Sequence, residues 1–105
     1  MGFDLPAVVR AIAEGRLTWQ QHAPQRLTER GIPQEDVLQC IADAQILEEY
    51  PDDYPLPSAL VLCRREGRPL HVVVAWDAEL ARAYVITVYI PDGMHFAEDY
   101  RTRRT

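Results

Sequence analysis

Lysine is missing altogether: all 11 basic residues of this 105-residue chain are arginines. Against 16 acidic residues they leave a net charge of −5. That balance excludes a general nucleic-acid coat or a membrane-surface role, both of which need a broad positive field. It leaves room for a small local site, because arginine carries forked, planar donors suited to phosphate and carboxylate. Cysteine is scarce as well. Cys40 and Cys63 are too few for a disulfide scaffold, and the composition predicts a cytoplasmic protein with reduced thiols and two small buried hydrophobes.

Other absences narrow the class further. No apolar run approaches the roughly 20 residues that span a bilayer, and no charged-then-apolar leader pattern is expected from the first residues, MGFDLPAVVRAIAEGR. No Gly-rich phosphate loop and no Ser/His/Asp nucleophile arrangement stands out. His22, His71, His95, Cys40 and Cys63 are potential metal ligands, but no two have a zinc-type short spacing. Neither a cofactor nor a metal is expected. What remains is one domain with an ordinary apolar fraction of 48% and a single modest core.

The most informative stretch is 18–33, TWQQHAPQRLTERGIP. His22, Arg26 and Arg30 recur every four residues, so on a helix they form one slowly drifting stripe. Trp19, Ala23 and Leu27 form an apolar stripe that overlaps it. Cations at the border of an apolar face are either held in salt bridges or aimed into a site. Glu29, Glu48, Glu49, Asp52 and Asp53 are available for the first option. Thr18 followed by Gln21 resembles a capping box, but Pro24 objects to a helix that starts so early. A helix over 23–30 puts that proline in the first turn and His22 at the helix entrance, where a histidine can also act as a cap.

Around this stretch the chain predicts a first helix over 3–14, stopped at Gly15, and a third over about 33–44 with Glu35 and Asp36 in its first turn. Val37, Leu38, Ile41 and Ala44 face its core side. A strand over 45–50 follows, then the acidic, proline-rich loop EEYPDDYPLP, which suits a basic protein partner or pairs with the chain's own arginines. Three strands rich in β-branched residues span about 59–64, 69–76 and 84–90. Hairpin-length connections make the simplest sheet an antiparallel meander. Pro91-Asp92-Gly93 terminates it, before a short segment ending in RTRRT. The expected fold is α+β: N-terminal helices on one face of a four-stranded, mainly antiparallel sheet. Alternation assigns Leu70, Val72, Val74 and Trp76, with Tyr84, Ile86, Val88 and Ile90, to the covered face. His71, Thr87 and Tyr89 share the other face.

The segments HAPQRLTERGIPQEDVLQCI, ILEEYPDDYPLPSALVL, GRPLHVVVA and YVITVYIPD, taken in this order, resemble the DUF 4258 family over about 18–104. That resemblance implies a compact fold similar to the RelE/ParE class of bacterial toxins. It also implies a small partner in a toxin–antitoxin pair, with an antitoxin protein of zinc-finger type encoded nearby. It supplies no established catalytic residues. The function expected is therefore a toxin component, acting as a metal-independent endoribonuclease on RNA, or else a non-catalytic interaction module that works only in a partner complex.

Metal-free RNA cleavage needs a base for the 2′-hydroxyl, a cation for the phosphorane charge and an acid for the leaving oxygen. The candidates are His22 and His71 for proton transfer, Arg26 and Arg30 for the phosphate, and Tyr89 as proton donor or stacking ring. Each has a structural counterpart: ion pairing for the arginines, capping for His22, and packing for His71 and Tyr89.

Overall fold

A computed structural model describes residues 3–65 and 68–90, with Arg65 described by its backbone alone. The Pro91-Asp92-Gly93 turn, His95 and the arginines of RTRRT lie outside the described residues. The elements run α1 (Leu5–Ala13), β1 (Leu17–Trp19), α2 (Ala23–Arg30), α3 (Gln34–Ile41), β2 (Gln45–Tyr50), β3 (Ser58–Arg65), β4 (Arg68–Asp77) and β5 (Arg82–Tyr89).

Local chemistry sets the helix ends. Asp4 caps α1, its carboxylate accepting from the Ala7 N–H at 3.1 Å. Pro24 occupies the first turn of α2, where its missing N–H costs nothing. Gly31 ends that helix at φ 67°, a left-handed conformation that glycine adopts without a Cβ penalty.

The sheet has five strands in the order β1-β5-β4-β3-β2 and is mixed, which corrects the expected four. The four strands from β2 to β5 form the antiparallel meander. The additional strand is Leu17–Trp19, which takes in the Thr18 and Trp19 that the capping-box pattern offered as the start of a helix. Leu17, Thr18 and Trp19 pair in parallel with Ala83, Tyr84 and Val85. Thr18 therefore caps nothing; its hydroxyl oxygen accepts from Arg82 Nη1 at 3.1 Å. Three residues of β propensity, beside a strand edge with free backbone groups, outweigh a local capping signal that Pro24 had already weakened.

All three helices contribute to one core. Val8, Ala11, Leu27, Val37 and Ile41 meet Val61, Val72, Val74, Ala83, Val85 and Val88 of the sheet. The alternation of β4 is as expected, with Leu70, Val72, Val74 and Trp76 inward. That of β5 is corrected. Val73 pairs with Thr87 and Val74 with Val85, leaving Ile86 as an extra residue. This bulge reverses the parity midway, so Ala83 and Val85 face the core together with Val88. Tyr84 moves to the other face. His71, Thr87 and Tyr89 do share that face, opposite the helices.

Cys40 of α3 and Cys63 of β3 are joined by a disulfide, with Cα atoms 5.3 Å apart, within the usual span of such bridges. They are buried, as expected, but paired rather than reduced. The bond ties the third helix to β3, next to the β2 edge of the sheet. No helix among the described residues is long and apolar enough to cross a membrane.

Candidate functional site

The entrance of α2 places His22 and Arg26 together on the surface. They border a shallow hollow of about 350 Å3, whose other walls are Gln25 and Glu29. His22 is the N-cap residue, yet its imidazole makes no capping hydrogen bond. The first-turn Ala23 N–H instead finds a backbone acceptor, the Gln20 carbonyl at 2.9 Å, while the His22 carbonyl accepts the first helical bond from the Arg26 N–H at 3.1 Å. Gln25 Nε2 donates to Glu29 Oε1 at 3.3 Å, which keeps that carboxylate turned toward Gln25. The exposed imidazole and guanidinium are thus one helical turn apart and open to solvent. Such a pair can move a proton and hold an anion at one place.

Arg30 plays a different part. It stands seven residues after Ala23, on the same stripe as Ala23 and Leu27, which are buried against the sheet. The residue is exposed, like Arg26, but its Nη1 donates to the Val88 carbonyl oxygen at 3.0 Å. Strand β1 ends opposite Val85, so among the described residues β5 runs on past it without a parallel neighbour. Arg30 satisfies a carbonyl on that open edge. Among the described residues, neither Arg26 nor Arg30 forms an ion pair with a carboxylate. The salt-bridge alternative for these two arginines, with the acidic loop as partner, finds no such contact among the described residues. Glu48 and Glu49 of that segment lie on β2, at the opposite edge of the sheet from β1, and Asp53 bonds the Ser58 hydroxyl instead.

His71 and Tyr89 form a cross-strand pair in the centre of the other face. Their rings meet edge to face with centroids 5.2 Å apart, and His71 Nδ1 lies 3.3 Å from the Tyr89 hydroxyl. His71 is 0% exposed. Its strand neighbours Leu70 and Val72 point into the helix-covered core, so the imidazole points the opposite way. The five candidate residues therefore divide. His22, Arg26 and Arg30 belong to α2 on one side of the sheet, and His71 and Tyr89 belong to the other side. No single cleft gathers them.

A further cleft was not legible in the sequence. It measures about 400 Å3 and lies on the sheet face turned away from the helices, beside the 51–57 loop. Ser58, Ala75 and Tyr84 form a row across its floor, being register partners in three adjacent strands. The alternation of β3 and β4 indicates the first two, but Tyr84 joins them only because of the bulge at Ile86. Among the described residues no three His, Cys, Asp or Glu side chains gather as metal ligands.

The described residues thus form an α+β domain with three helices on one face of a mixed five-stranded sheet. The chain belongs to the family described as Domain of unknown function (DUF4258), whose model matches residues 19–90. That span runs from the end of β1 to the residue after β5, so it takes in α2, α3 and the four-stranded meander. No curated protein and no solved structure matches the chain.

Proposed function

We propose that this domain is the toxin component of a bacterial toxin–antitoxin pair, acting as a metal-independent endoribonuclease through His22 and Arg26. The observation that carries this reading is their joint exposure at the α2 entrance. Imidazole is the side chain best suited to proton transfer near neutrality. A guanidinium beside it neutralises the charge that develops on the non-bridging phosphate oxygens during attack by a 2′-hydroxyl. In this scheme His22 takes the hydroxyl proton, Arg26 holds a non-bridging phosphate oxygen, and water protonates the leaving oxygen. Arg30 positions the end of α2 from beneath, and His71 with Tyr89 stabilises the sheet. The RelE/ParE-like architecture implied by the sequence resemblance supports this assignment.

Overexpression in a bacterial host tests the proposal. Growth inhibition by the wild type, relieved by His22→Ala and by Arg26→Ala at equal protein levels, is the expected result. Absence of inhibition by the wild type, with soluble protein present, counts against it.

One observation favours a second reading, a non-catalytic module that acts only in a partner complex. The candidate proton-transfer groups lie on two sides of the sheet, His22 on one and His71 with Tyr89 on the other. Under that reading a partner protein is required for any effect, and the His22 and Arg26 variants inhibit growth, or fail to, just as the wild type does.

A further inference from the structure

The cleft beside the 51–57 loop combines an apolar floor with one fixed carboxylate. Asp53 Oδ1 accepts from the Tyr54 N–H at 3.1 Å, and Oδ2 accepts from the Ser58 hydroxyl at 2.7 Å. Ser58 is only 1% exposed, so the second of these bonds comes from a side chain anchored in the sheet. Each carboxylate oxygen keeps a further acceptor position. Among the described residues no arginine pairs with Asp53. A negative group is therefore held in one orientation and is not neutralised within the described part of the fold.

Its surroundings select the class of cation. Tyr54 is 91% exposed at the rim and Tyr84 is half-buried on the floor, with the Gln20 amide on the far side. Aromatic faces next to a carboxylate suit a planar, delocalised cation with forked donors better than a compact ammonium. Nucleic acid fits poorly. Asp52 and Asp53 are adjacent, and Glu48 and Glu49 stand on the neighbouring strand, so a phosphate backbone meets like charge here.

We infer that this cleft receives an arginine side chain from a partner protein, with Asp53 accepting the guanidinium hydrogen bonds and Tyr54 and Tyr84 flanking its plane. Ser58 is the positioning residue for that carboxylate. The inference stands apart from the ribonuclease proposal: it concerns a different face of the sheet, and loss of RNA cleavage leaves it untouched.

The test is a titration of the 15N-labelled full chain with N-acetyl-arginine N-methylamide, followed by NMR. Saturable shifts of the Gln20, Tyr54 and Ser58 amides are expected. The uncharged citrulline analogue should bind about threefold to fivefold more weakly, the yield of a partly exposed ion pair. Asp53→Asn should weaken arginine binding to the same extent. Tyr54→Ala removes an exposed ring without touching the core and should also weaken it, while the shifts of residues in α1 and α3 report an intact fold. Equal affinity for the two analogues, or unchanged affinity in both variants, overturns the inference. Guanosine monophosphate perturbing the same amides more strongly than arginine does also overturns it, making the cleft a nucleotide subsite.

Discussion

Arg30 donates to the carbonyl oxygen of Val88 at 3.0 Å, from the last turn of α2 to the open end of β5. One turn earlier, Arg26 points to solvent beside His22. Two arginines four residues apart thus do different work, the first as a surface cation and the second as a latch on a strand edge.

Stability separates the two. Arg30→Ala leaves the Val88 carbonyl without that donor and should cost about 1–2 kcal/mol, the range of hydrogen bonds from charged donors after solvent discounting. For a domain of this size that lowers Tm by roughly 4–8 °C per kcal/mol. Arg26→Ala should stay within about 0.5 kcal/mol of wild type. Thermal unfolding followed by circular dichroism measures both. A large loss at Arg26 with none at Arg30 would reverse the two roles.

The His71–Tyr89 pair is expected to be a matter of stability. Tyr89→Phe keeps the ring and removes the hydroxyl that faces Nδ1, at a cost of about 1 kcal/mol. His71→Ala empties a fully buried position and should cost more, about 2–4 kcal/mol. Neither is expected to change the chemistry of folded protein. A Tyr89→Phe protein with wild-type stability and lost activity would move the site to the other face.

The Cys40–Cys63 bond closes a loop with a sequence separation of 23. A cross-link over a loop of that length stabilises by about 3 kcal/mol in the chain-entropy description. Reductant, or the Cys40→Ala/Cys63→Ala pair of substitutions, should therefore lower Tm while leaving the fold assembled. Thiol titration of unfolded protein prepared without reductant should find the two cysteines blocked. Two reactive thiols would show that the bridge does not form.

Much of this architecture was readable from residue patterns. The range 23–30 for α2 follows from Pro24 in a first turn and Gly31 as a left-handed cap. β2 over 45–50 and the meander follow from β-branched runs and short connections. Three features were not readable, each for a physical reason. β1 is a three-residue strand whose stability comes from the edge of β5, 66 positions away by the Leu17–Ala83 pairing, so no local signal marks it. The bulge at Ile86 breaks strict alternation without glycine or proline to announce it. The contact of Cys40 with Cys63 depends on how α3 lies on β3, which spacing alone does not determine. The same limit applies to the site. Sequence spacing brought His22 and Arg26 together because they share a helix, but it could not place His71 and Tyr89 on the far side of the sheet from them.

Joint cleavage of RNA by His22 and Arg26 is measured with the purified protein in the presence of EDTA. Wild type and Tyr89→Phe should cleave a structured RNA at similar rates. His22→Ala and Arg26→Ala should each lose at least about a hundredfold, the scale of one general base or one charge-stabilising group. Both variants should keep the wild-type Tm. Failure of the wild type to cleave any RNA, or cleavage undiminished in both variants, would remove His22 and Arg26 from any catalytic role.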